Sequence, residues 1–283
     1  MISGLKKSDY IPLIRRALAE DLGKNGDITS RSIFTGKEKA VFTLLAKDDG
    51  VLCGAEVFTE VFRRLDKKAK VEWYLKDGAS LAKGTVVARV SGKLVAILSG
   101  ERTALNLVSH LSAVATKARR FARTAGDKPV VLDTRKTVPG LRMLQKYAVR
   151  TGGAMNHRIG LFDMILIKDN HVDAAGGIVT AVSRARKRWG NTFKIEVETR
   201  SLDEVRQALE AKADRIMLDN MDNAQMKKAV ELIAGKAETE ASGNMTLERL
   251  MTLGETGVDF VSFGELTHTV QVFDFSLKQE STE

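Results

Sequence analysis

Four apolar runs in the second half of the chain finish at Glu198, Asp219, Ser242 and Ser262, at intervals of 21, 23 and 20 residues. Helix signals follow them: Ser201-Leu202-Asp203-Glu204 has the spacing of a capping box, and Asp222 and Thr246 stand as N-caps before further apolar stripes. Two earlier runs, Val130-Val131-Leu132 and Met164-Ile165-Leu166-Ile167, lead straight into Asp133 and Lys168. Strands alternating with helices at this spacing predict a parallel sheet, closed as a (β/α) barrel or open and doubly wound. No glycine-rich dinucleotide loop follows the first of these strands, so the barrel fits better.

The first part of the chain has a different rhythm. Residues 9 to 21 read as a helix with Ile11, Ile14, Ala17 and Leu18 on one face. From Ala40 to Val90 short strand-like runs are split by glycines at 50, 78, 84 and 92, with a helix over residues 57 to 65 among them. A helical stripe through Leu107, Leu111, Val114, Ala118 and Phe121 then joins the two parts. The predicted fold is an N-terminal α+β domain, an α/β sandwich, over residues 1–112, followed by an incomplete parallel (β/α) barrel over 113–270. Residues 271–283 are expected to return to the N-terminal domain.

Charge and composition exclude several classes. The net charge of +9, from 45 basic and 36 acidic residues, raises the possibility of a basic nucleic-acid-binding protein. No aromatic platform or nucleic-acid motif accompanies the cations, and many sit on helices beside acids, so no nucleic-acid partner is expected. No apolar run approaches the roughly 20 residues needed to span a bilayer, and the N-terminus lacks a signal-peptide core. A cytoplasmic enzyme with no membrane partner is expected. The single cysteine, Cys53, reads as a small buried hydrophobe.

Strand alternation sends Glu196 and Glu198 to one face of their strand and Ile195 and Val197 to the other. The same logic aims Asp219 with Met217. In barrels the carboxyl ends of the strands form the catalytic face, so Arg135, Lys136, Lys168, Glu198 and Asp219 should converge there. Several cations with two acids predict a polyanionic ligand, with the acids placed to hold Mg²⁺ or sugar hydroxyls. Glycine turns at Ser242-Gly243-Asn244 and Phe263-Gly264-Glu265 are of the kind that cradle phosphate. Among the histidines, His110 reads as structural, His171 as a loop organiser and His157, beside Arg158, as an anion donor; no zinc motif exists.

On Asp133-Thr134-Arg135-Lys136-Thr137-Val138-Pro139-Gly140, Asn156-His157-Arg158, Lys168-Asp169-Asn170-His171, Glu101-Arg102-Thr103 and Glu255-Thr256-Gly257, the chain resembles the quinolinate phosphoribosyltransferase family, the carboxylating nicotinate-nucleotide pyrophosphorylases. The resemblance implies conversion of quinolinate and phosphoribosyl pyrophosphate, with Mg²⁺, to nicotinate mononucleotide, pyrophosphate and CO₂ in NAD biosynthesis. It implies a homodimer or dimer-based oligomer whose sites borrow residues across the interface. Arg102, Thr134, Arg135, Lys136, His157, Arg158, Lys168 and Lys47 would then bind quinolinate, and Lys136, Lys168, Glu198 and Asp219 would be catalytic. Glu198 and Asp219 would also face the ribose and Mg²⁺, while Ser242, Gly243, Asn244, Phe263, Gly264, Glu265 and His268 would surround the phosphates. Lys47 stands where relatives often carry arginine. Alternatives are the molybdenum-transport-associated relatives of this family and a phosphoribosyltransferase for another aromatic acid.

Overall fold

A computed structural model describes residues 4–280. Residues 1–3 and 281–283, the outer ends of the stretch read for a signal core and of the expected returning segment, lie outside the described residues. In chain order the first elements are α1 (Lys7–Leu22), α2 (Ile28–Ile33), β1 (Lys39–Ala46), β2 (Gly50–Val51), α3 (Ala55–Leu65), β3 (Lys70–Trp73), β4 (Ser80–Leu81), β5 (Val86–Lys93) and α4 (Leu94–Ala125). Next come β6 (Val130–Leu132), α5 (Arg142–Gly152), β7 (Ile165–Ile167), α6 (Asp169–Ala175), α7 (Ile178–Trp189), β8 (Ile195–Thr199), α8 (Leu202–Glu210) and β9 (Arg215–Asp219). The last are α9 (Asn223–Ile233), β10 (Glu238–Ser242), α10 (Leu247–Leu253), β11 (Phe260–Ser262), α11 (Glu265–His268) and β12 (Phe275–Gln279). No helix among the described residues is long and apolar enough to cross a membrane.

The described residues divide into two compact units, one of residues 4–119, 138–153 and 268–280, the other of residues 120–137 and 154–267. In the first, β12, β1, β5 and β3 form an antiparallel sheet in that order. Strand β1 buries every second residue, Ala40, Phe42, Leu44 and Ala46, which is the period a half-covered sheet requires. Helix α3 buries Val57, Phe58, Val61 and Phe62, with Phe58 edge-on to Phe62 and Trp73 at centroid distances of 5.1 and 5.4 Å. Its start is capped from a distance. Gly54 has φ +104, and the Asp77 carboxylate accepts the N–H groups of Gly54 and Ala55 at 3.0 Å while also accepting the Tyr147 hydroxyl at 2.8 Å. Such a cap is worth about 1 kcal/mol. Cys53 is fully buried, and burial pushes its thiol pKa up.

The second unit is a six-stranded parallel sheet in the order β6-β11-β10-β9-β8-β7. Strands β6 and β7 stand at its two ends and do not pair, so the barrel is incomplete. The predicted helix starts are present: Ser201 accepts from the Glu204 N–H at 3.2 Å, Asp222 from Gln225 at 2.8 Å and Thr246 from Arg249 at 3.2 Å. One strand departs from the alternation. The helix after β6 is α5, which belongs to the first unit, so residues 154–164 return to β7 without a helix. Within that return, Met155 bridges to Leu132 as a short parallel extension beside β6.

Candidate active site

Register decides which side chains share the interior face of the parallel sheet. Glu196 pairs with Arg215, Glu198 and Glu240 both pair with Met217, and Ser242 pairs with Asp219. Ile195, Val197, Ile216 and Leu218 occupy the opposite face and are fully buried. Polar residues therefore stack inside the sheet in an alternating chain of charge. Lys194 Nζ lies 2.8 Å from Glu238, whose other oxygen is 2.9 Å from Arg215; Arg215 reaches Glu240 at 3.1 Å. His157 Nε2 then lies 3.5 Å from Glu240 and 3.0 Å from Glu196. The Arg215 guanidinium also covers the Phe260 ring at 4.1 Å from its centroid.

Burial of Glu196 and Glu240 is complete, and carboxylates so placed are tolerable only beside cations. Burial opposes charge on His157, but the two carboxylates outweigh it and hold the imidazole pKa up to about 9. Glu196 is pushed up to about 7, by burial first and by Glu240 second. The Arg158 N–H meets Nδ1 of His157 at 2.7 Å, a contact that favours the neutral ring and so opposes its charging, while Nε2 faces the acids. His157 and Glu196 together retain one proton near neutrality, which with Arg215 balances the cluster. The three ligand-type atoms of His157, Glu196 and Glu240 lie within 4.8 Å of one another, and Arg215 supplies there the counter-charge that a metal would bring.

The cations sit at the carboxyl ends. Asp133, fully buried, is followed by a turn in which the Lys136 N–H donates to Thr134 Oγ1 at 3.0 Å. Thr267 Oγ1 fixes the same turn by donating to the Lys136 carbonyl at 2.7 Å. Arg135 is half-buried, with an Nε that has no hydrogen-bond partner among the described residues. Arg158 donates to the Met164 carbonyl at 3.1 Å, and its pKa is lowered by burial and then by the charge of Arg135. Burial and the neighbouring charge of Arg135 thus both disfavour the Arg158 cation. Lys168 Nζ pairs with Glu198 at 3.1 Å, and the Lys168 N–H donates to Nδ1 of His171, which organises that loop as the sequence suggested.

Glu198 and Asp219 stand at the ends of neighbouring strands. Asn220, at φ +55, donates to Asp219 at 2.7 Å and accepts from Asn244 at 3.2 Å, tying the acid to the glycine turn. Gly243 has φ +84, and a Cβ there would run into Asn220. An all-oxygen donor pair of this kind suits a hard cation such as Mg²⁺.

Placement differs for other expected residues. His157 Nε2 faces the buried acids Glu196 and Glu240. Phe263 is also turned inward: its ring packs edge-on against Phe121 at 4.8 Å and its N–H donates to the Leu132 carbonyl at 2.9 Å. The Gly264 carbonyl accepts the Thr267 N–H at 3.1 Å, and Glu265 begins α11. Arg102, Lys47 and His268 belong to the first unit, each exposed: Arg102 on α4, Lys47 donating through its N–H to Asp274 O at 2.9 Å, His268 beside Thr269 at 2.7 Å. His110 lies 2.9 Å from Gln145, a structural position. Asp133 was read only as part of its motif, and Arg215 and Glu240 were not singled out from the sequence; the alternation applied to Glu196 would have placed Arg215 and Glu240 inside.

Cations at the carboxyl ends of an incomplete parallel (β/α) barrel, facing two carboxylates, define an enzyme of anionic substrates. Family models described as the N-terminal and C-terminal domains of quinolinate phosphoribosyl transferase match residues 27–112 and 114–278. The chain belongs to this family. It is 44% identical to the probable carboxylating nicotinate-nucleotide pyrophosphorylase of Bacillus subtilis, covering 96% of this chain and 95% of that one. It is likewise 44% identical to the chloroplastic enzyme of that name from Arabidopsis thaliana, covering 95% and 82%. The crystal structure of the nicotinate-nucleotide pyrophosphorylase from Francisella tularensis superposes with a TM-score of 0.94 at 38% identity, covering 98% of each chain.

Proposed function

We propose that the protein transfers the phosphoribosyl group of phosphoribosyl pyrophosphate to quinolinate, releasing pyrophosphate and CO₂ and giving nicotinate mononucleotide for NAD biosynthesis. The observation that carries this reading is a pair of cations at the strand ends, Arg135 with a buried Nε that has no hydrogen-bond partner among the described residues and Arg158 with its pKa lowered by burial and then by the charge of Arg135. A dicarboxylate offsets that charge, and planar carboxylates match guanidinium forks.

Arg135, Lys136 and Arg158 hold the two carboxylates and aim the ring nitrogen, with Thr134 shaping the turn that carries them. The nitrogen bonds to C1′ of the ribose as the C1′–oxygen bond to pyrophosphate breaks, so no protein nucleophile is required. Orientation of two bound anions can supply roughly 7 to 11 kcal/mol of such a barrier. The 2-carboxylate then leaves as CO₂, its bonding electrons passing to the quaternised ring, and a proton from solvent completes C2–H. Glu198 and Asp219 would hold Mg²⁺, which neutralises charge on the pyrophosphate when bound. Lys168 orients Glu198, and Asn220 orients Asp219 against the turn formed by Ser242, Gly243 and Asn244.

Arg102 and Lys47 act from the neighbouring subunit of a homodimer, and His268, Gly264 and Glu265 lie near the phosphates. The lone buried cysteine suits a reducing compartment such as the cytoplasm. The test is incubation with phosphoribosyl pyrophosphate, Mg²⁺ and either quinolinate or nicotinate. Turnover of quinolinate alone is expected; turnover of nicotinate alone contradicts the reading.

A further inference from the structure

Asp133 is the residue through which the two cationic loops meet. Its carboxylate accepts the Asn156 side-chain amide at 2.7 Å and the His157 N–H at 2.9 Å. Its own N–H donates to the Met155 carbonyl at 3.1 Å, and the Met155 N–H donates to Val131 at 2.8 Å, so the segment bearing Arg158 is stitched to the strand end bearing Arg135. One link further, the Arg158 N–H rests on the His157 ring at 2.7 Å.

This stitching works against a force. Burial first and the charge of Arg135 second lower the Arg158 pKa, so the two loops bring like charges toward one site. Neighbouring backbone bonds set the register of residues 131 and 155, but they end before the cations begin. Beyond that point the carboxylate of Asp133, two residues before Arg135, reaches across to Asn156 and His157, the two residues before Arg158. It is fully buried, where charge-assisted hydrogen bonds are strong and directional.

We propose that Asp133 is a positioning residue for quinolinate: it clamps the Arg135–Lys136 loop to the His157–Arg158 loop at the spacing that two adjacent carboxylates need. The inference rests on the functional reading above and gives Asp133 no contact with either substrate.

Asp133→Asn keeps the shape but turns one acceptor oxygen into a donor, so either the Asn156 amide or the His157 N–H meets another donor. Combining it with Asn156→Asp restores the match, since the new amide at 133 donates to the new carboxylate at 156 and still accepts from His157. Quinolinate KM, phosphoribosyl pyrophosphate KM, kcat and Tm are measured for wild type, both single variants and the double variant. The Asp133→Asn chain is expected to show a quinolinate KM raised about tenfold or more, with the other KM within about threefold. The double variant is expected to return to within about threefold of wild type.

An unmoved quinolinate KM, a parallel rise in both KM values, or a double variant no better than the singles overturns the clamp. If Asp133→Asn does not fold, Asn156→Asp against the double variant carries the same comparison, and a double variant that fails to fold or stays impaired also overturns it. Absence of wild-type quinolinate turnover refutes the functional reading instead.

Discussion

Lys168 Nζ donates to Glu198 Oε2 at 3.1 Å, so a cation from the end of β7 and an acid from the end of β8 neutralise one another across neighbouring strands. The lysine side chain is 49% exposed, and a pair this wet contributes less than about 1 kcal/mol to folding. Lys168→Ala is therefore expected to leave Tm within about 3 °C of wild type while kcat/KM falls about 100-fold. Calorimetry beside steady-state kinetics checks the split; a large loss of Tm with near-normal kcat/KM would assign the pair to structure.

Arg135 and Arg158 should show the opposite relation between stability and function. Arg135→Met removes a repulsive neighbour and a buried, unsatisfied Nε, so the ligand-free protein is expected to melt about 1 to 3 °C higher. Quinolinate should raise the Tm of wild type and have little effect on this variant. A variant that melts lower and still gains from quinolinate would mean that the two guanidiniums do not form the anion site.

The His157 cluster predicts a pH dependence of stability. The imidazole is held at about 9 in the folded state against its ordinary 6.5, so its stabilisation is complete below about 6.5 and is lost as pH rises through about 9. Glu196, raised to about 7, acts in the same direction, since the folded chain binds the proton more tightly. In metal-free buffer, Tm should fall more steeply between pH 6.5 and 9.5 for wild type than for Glu196→Gln. Equal slopes would show that the cluster holds no extra proton.

Gly243→Ala tests the turn behind Asp219. At φ +84 a side chain is strained, and its Cβ would press on Asn220, which orients Asp219. The expected cost is about 1 to 3 kcal/mol, with a raised KM for phosphoribosyl pyrophosphate and little change for quinolinate. Unchanged kinetics would detach the turn from that substrate.

Much of this architecture was legible in the chain. The spacing of the strand ends and the caps Ser201, Asp222 and Thr246 mark the βα units, because apolar period and helix-start chemistry are local properties. What was hidden depends on pairing between distant strands. Arg215 lies between Glu238 and Glu240 only once β9 and β10 are in register, and His157 turns inward only because Glu196 and Glu240 are buried beneath it. The departure of α5 to the first unit was equally silent, since its buried Leu144, Ala148 and Val149 read as a helix stripe wherever it packs. Asp133 was visible as a member of its motif, but its role is set by Asn156 and His157, more than twenty residues away.

The central claim is that paired cationic loops present quinolinate to a phosphoribosyl donor and that transfer precedes loss of the 2-carboxylate. It is tested most directly with quinolinate labelled at that carboxylate, incubated with phosphoribosyl pyrophosphate and Mg²⁺, while labelled CO₂, pyrophosphate and nicotinate mononucleotide are counted together. The account predicts equal amounts of all three and no labelled CO₂ when phosphoribosyl pyrophosphate is omitted. Labelled CO₂ without the donor, or pyrophosphate and mononucleotide formed from nicotinate but not from quinolinate, would contradict it.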